Sequence, residues 1–101
     1  MVRVTGVDDQ PVAFALGVHP NPSAGPADIE YSLPREAPVR LRVFDVAGRE
    51  VARLVDGPQP AGRHVAIWSG TPAAAHARAG IYLIRFETPE GTWTKRLALL
   101  R

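Results

Sequence analysis

Apolar residues fall at every second position through several short runs of this chain. Phe14, Leu16 and Val18 share one parity within Val12–Val18, and Ile29, Tyr31 and Leu33 do so within Ala27–Leu33. Val39, Leu41 and Val43 alternate with Arg40 and Arg42, and Tyr82, Ile84 and Phe86 form one side of Gly80–Glu87. Successive side chains of a strand point to opposite faces, so this alternation predicts strands with one face buried. Ten prolines and nine glycines separate the runs. Short strands between regular turn signals predict an all-β fold, an antiparallel immunoglobulin-like β-sandwich of about seven strands around one core.

The remaining segments complete that pattern. The stretch His19–Pro26 holds three prolines, which lack the backbone N–H that a ladder needs, so it is expected to interrupt the sheet. Pro34–Pro38 reads as a short connection. Phe44 follows Val43 and breaks the parity, which predicts a bulge or an edge position near Asp45. Ala47-Gly48-Arg49 reads as a tight turn with Gly48 at positive φ, and Glu50–Val55 returns antiparallel. Asp56–Gly62 is expected to be a loop. Arg63–Trp68 is apolar at both parities, which predicts a central strand with both faces partly covered. Ser69–Ala79 reads as a long loop whose alanines make one helical turn at most. Thr88–Gly91 then turns into a last strand, Thr92–Leu100. Residues 1–10 are expected to be a linker or the tail of a preceding domain, leaving 11–101 as the folded unit.

Composition narrows the function classes. With 101 residues, 46% hydrophobic and 22% charged, the chain is ordinary for one globular domain. It has no cysteine, which removes disulfides and thiolate metal sites. The net charge is only +2, and Lys95 is the single lysine among 12 cations that are spread along the chain. No basic run of the kind that holds nucleic acid occurs. No apolar run approaches the roughly 18 residues of a membrane-spanning helix, so no integral membrane segment is expected. Residues 1–9 lack a signal-peptide core, so an export signal is expected upstream in a longer parent chain or at the C-terminus.

No catalytic constellation assembles from the residue pattern, and the chain does not read as an enzyme. Ser23, Ser32 and Ser69 lie outside any nucleophile-elbow context. His19, His64 and His76 fall on three unrelated segments, so no shared metal site and no cofactor is expected. Asp8 and Asp9 offer hard oxygen ligands for calcium, although solvating charge in a linker explains them more simply. Trp68, Trp93, Tyr31 and Tyr82 compose either a sugar-stacking platform or, at period-two positions, core.

Six motifs in register carry a resemblance. These are Pro20-Asn21-Pro22, Ile29–Pro34, Val39–Val51, Gly62–Trp68, Ala79–Tyr82 and Lys95–Arg101. In this order and spacing the chain resembles the C-terminal sorting domain of bacterial type IX (Por) secretion cargo. That family is related to the immunoglobulin-like domain of flagellar hook-capping proteins. The usual Trp-Asp-Gly of the family reads Trp68-Ser69-Gly70 here.

The resemblance implies a non-catalytic C-terminal module that directs export of a larger protein across the outer membrane and attaches it to the cell surface. Its implied partners are the outer-membrane secretion machinery and an upstream cargo domain of the same parent chain. Gly80, Tyr82, Lys95, Arg96, Leu99, Leu100 and Arg101 are the implied recognition positions. Pro20, Asn21, Pro22, Gly48, Gly62 and Trp68 are the implied structural positions. A sorting domain must end its parent chain, and Arg101 is expected to be that end. A hook-cap-like assembly domain and a carbohydrate-binding or spacer module of an extracellular enzyme remain open beside this reading.

Overall fold

The computed structural model describes residues 13–24, 26–68 and 79–100. The expected linker at residues 1–10, the pair Asp8 and Asp9, most of the loop after Trp68 with His76, and Arg101 lie outside them. Among these described residues seven strands form: β1 (Ala15–His19), β2 (Ala27–Leu33), β3 (Ala37–Asp45), β4 (Glu50–Gln59), β5 (Gly62–Trp68), β6 (Gly80–Thr88) and β7 (Gly91–Leu99). They make two antiparallel sheets, β1-β2-β5 and β4-β3-β6-β7. No described helix is long and apolar enough to cross a membrane.

The alternation read from the sequence is the alternation of the core. Ile29 and Leu33 from β2, Leu41 and Val43 from β3, Ile84 and Phe86 from β6, and Leu97 from β7 are fully buried between the sheets. Burying each such side chain contributes roughly 1.5–3 kcal/mol. Their polar neighbours occupy the outer faces. On the four-stranded sheet these make a lattice of ion pairs, in which Arg42 reaches Glu87 at 2.7 Å and Glu50 at 3.4 Å.

Phe44 is an apolar side chain on that charged outer face, and its burial has a local cause. The guanidinium groups of Arg42 and Arg85 lie 5.0 and 4.5 Å from its ring centroid and cover it. The parity break therefore does not place Phe44 in the core. Bulges do occur nearby, but the extra residues sit in β4. Leu41 and Arg42 face Val55 and Arg53, skipping Leu54, while Val43 and Phe44 face Ala52 and Glu50, skipping Val51. At the end of this hairpin the Asp45 carboxylate accepts from the backbone N–H groups of Ala47 and Arg49 at 2.9 Å each. Gly48, at φ 89°, supplies the left-handed residue that closes the turn.

Two sequence expectations are corrected. β5 is not central: it lies at the edge of the three-stranded sheet, with Val65 and Ile67 58% and 64% exposed on the outer side. Only its other parity, His64, Ala66 and Trp68, faces the second sheet. The segment read as a loop, Asp56–Gly62, continues β4 as far as Gln59, with Pro58 opposite Pro38. Proline is tolerated there because β4 is an edge strand. The proline-rich segment interrupts the sheet between β1 and β2, as expected, and within it Ser23 forms an isolated parallel bridge with Leu99.

Candidate functional site

The sequence motifs converge on the last strand. β7 is the edge of the four-stranded sheet, and an edge presents a row of unpaired backbone groups. Here the proline-rich segment closes half of that row. The Asn21 side-chain amide donates to the Arg96 carbonyl at 2.7 Å and accepts from the Ala98 N–H at 3.0 Å. Ser23 continues the pairing with its backbone, donating to the Ala98 carbonyl at 2.9 Å and accepting from Leu100 N–H at 2.7 Å. Pro20 and Pro22 flank the amide, and both His19–Pro20 and Asn21–Pro22 are cis. Asparagine suits this place because its one side chain carries a donor and an acceptor in the spacing of a peptide group.

The second protection is Lys95. It has the parity of Trp93, Leu97 and Leu99 yet is exposed, on the edge strand of the four-stranded sheet. A charge at an inward-facing edge position resists pairing with another strand. Beside it on the outer face lies the exposed Arg96, and Leu100 is 50% exposed beyond the strand end. Ile81, opposite Ala98, adds an apolar position to the same outer corner, and Val46 follows β3 there.

The expected recognition residues separate into two groups. Lys95 and Arg96 are exposed on the two faces of β7, and Leu100 is half-exposed just beyond the strand's end. Tyr82 and Leu99 are core: Tyr82 packs edge-on against Trp68 with ring centroids 5.0 Å apart, and Leu99 is sealed beneath. Gly80 starts β6 opposite Leu99 at φ 150°, and Gly62 starts β5 opposite Leu33 at φ 119°. Gly48 serves the hairpin turn already described. Trp68 is only 3% exposed.

That burial bears on the sugar-binding alternative. Trp68, Tyr31 and Tyr82 are buried, and Trp93 lies stacked against Phe14 with centroids 5.0 Å apart. These rings therefore form no exposed coplanar platform. His64 stacks on Tyr31 at 5.0 Å, while His19 pairs with Glu30 at 3.1 Å. Desolvation of the Tyr31 hydroxyl pushes its pKa above the usual tyrosine value. Among the described residues no three His, Asp or Glu side chains gather into a metal site.

The sequence pattern missed how the Pro-Asn-Pro motif works, because its target is 75 residues away in the chain. The only available signal was an isolated amide held between two prolines.

The FlgD Ig-like domain family matches residues 21–91, well over half of the chain. The chain belongs to that family. The match begins at the clamping Asn21 and runs through β2, β3, β4, β5 and β6 to the turn before β7. No curated protein and no solved structure matches the chain.

Proposed function

We propose that this FlgD Ig-like domain is a non-catalytic module that directs a larger protein across the outer membrane and to the cell surface. Its partners in this reading are the outer-membrane secretion machinery and an upstream cargo domain of the same parent chain. The observation that supports it is the state of the last strand. Asn21 and Ser23 hold it in place, so Lys95, Arg96 and Leu100 are presented on a fixed backbone. A receptor that reads a charged and apolar strand end gains affinity when that end is already ordered, since less conformational entropy is lost on binding.

The test is a localisation assay. The chain is fused behind a periplasm-directed fluorescent reporter in a bacterium that possesses type IX secretion. The surface-plus-medium fraction is then compared with that of a secretion-deficient strain. Machinery-dependent export is the expected result. The double variant Lys95→Glu/Arg96→Glu should reduce export while keeping its near-ultraviolet circular dichroism. Retention of a folded fusion in the periplasm of both strains would overturn the sorting role.

A second reading, an assembly domain of the hook-cap type, is favoured by the family membership itself. Fold alone does not carry function between members of a family. Periplasmic retention combined with self-assembly or binding to a flagellar partner would favour it.

A further inference from the structure

The four sheet edges are not treated alike. On β7 the clamp of Asn21 and Ser23 and the inward parity of Lys95 block pairing. β4 carries two bulges, Pro58 and the charged side chains of Glu50, Arg53 and Asp56. β1 is five residues long and runs directly into Pro20. β5 has none of these devices. It holds seven residues in unbroken register with β2, without proline or bulge, and Arg63 is its single permanent charge. Among the described residues no strand pairs with its free edge.

We propose that β5 pairs antiparallel with β5 of a second copy of this chain, joining two three-stranded sheets into one of six strands. The occupant is argued from self-complementarity, which a two-fold interface requires. When two β5 strands meet about Ala66, Val65 of each copy stands opposite Ile67 of the other. The four exposed apolar side chains then form one contiguous stripe on the outer face. The two Arg63 residues fall at opposite flanks, roughly 20 Å apart, which is beyond the screening length at physiological salt. Each copy carries a net charge of only +2, and the one permanent charge of β5 stands clear of the paired apolar residues, so little repulsion opposes the contact. The pairing is small. A stable interface buries roughly 800 Å² per partner, and one seven-residue strand with two apolar side chains buries less. The dimer is therefore a weak, transient one.

Analytical ultracentrifugation of the full chain from about 5 µM to about 1 mM brackets that regime. The wild type should pass from monomer to dimer mass, and Val65→Lys/Ile67→Lys should remain monomeric with unchanged near-ultraviolet circular dichroism. A second measurement does not depend on that variant folding. Directly opposed residues of an antiparallel pair have Cα atoms about 4.5–5.5 Å apart, within disulfide reach. Ala66→Cys, in a chain that has no cysteine of its own, should cross-link to dimer under mild oxidation, and Arg53→Cys on β4 should not. A wild type that stays monomeric to 1 mM would overturn the proposal. So would a dimer that survives the lysine substitutions in folded protein, or cross-linking through Arg53→Cys as fast as through Ala66→Cys.

Discussion

Replacing Asn21 by alanine removes both side-chain bonds to β7 and leaves the Arg96 carbonyl and the Ala98 N–H to water. Each bond contributes about 0.5–1.5 kcal/mol net, and the site is exposed, so water recovers part of the loss. The expected cost is about 1–2 kcal/mol, a sizeable share of the roughly 5–10 kcal/mol available to a domain of this size. With a urea dependence of about 1–3 kcal/mol per molar, the unfolding midpoint should fall by ~1 M. Hydrogen exchange localises the effect. The amide of Ala98 loses its acceptor, and that of Leu100, held by Ser23, should also exchange faster as the segment loosens. Asn21→Asp separates the two halves of the contact. Its carboxylate still accepts from Ala98 but sets an acceptor against the Arg96 carbonyl, so it should be at least as destabilising as alanine. An Asn21→Ala protein within about 0.5 kcal/mol of wild type, the ordinary range for a surface change, with unchanged exchange at Ala98, would refute the clamp.

Trp68→Ala should cost about 3–5 kcal/mol, because the indole is buried and leaves Tyr82 without its edge-on partner; a near-wild-type urea midpoint would place the ring outside the core. Acid stability should report the hairpin turn. The Arg49 N–H beside the Asp45 carboxylate, helped by the Arg49 side chain and the Ala47 N–H, holds its pKa below the usual aspartate value. A folded-state pKa below the unfolded value means stabilisation that is complete above about pH 4 and lost as pH falls through the folded pKa. The hydrogen bond from Arg53 does the same for Glu50. Asp45→Asn should therefore lose less stability than wild type between about pH 4 and pH 2 in urea titrations.

The alternation of Ile29, Tyr31 and Leu33, of Val39, Leu41 and Val43, and of Tyr82, Ile84 and Phe86 was sufficient to read the core, because parity alone decides which face of a strand is buried. Arg63–Trp68 shows where that logic stops. Two apolar parities look the same on a central strand and on an edge strand whose outer face is left bare, and the difference lies in the neighbouring strands. Prolines misled in both directions. Pro58 was compatible with an edge strand, while Pro20 and Pro22 hid a non-local contact that no periodicity encodes. Of the expected recognition residues, Lys95, Arg96 and Leu100 are accessible. Tyr82 carried two readings, core by its parity with Ile84 and recognition by its motif, and its burial follows the parity, as that of Leu99 follows Leu97.

The bonds between residues 21–23 and 96–100 have a consequence in time. A chain made from its N-terminus presents Asn21 and Ser23 early, yet their partners arrive 75 or more residues later. Until Arg96, Ala98 and Leu100 emerge, β6 has no outer neighbour and the proline-rich segment has nothing to grip. Contacts this distant in sequence must overcome a large loop-closure entropy before they contribute, which places such folds among the slower ones. The domain therefore reaches its finished form only when its last strand has been delivered, and a chain interrupted before Arg96 lacks both the strand and the bonds that latch it.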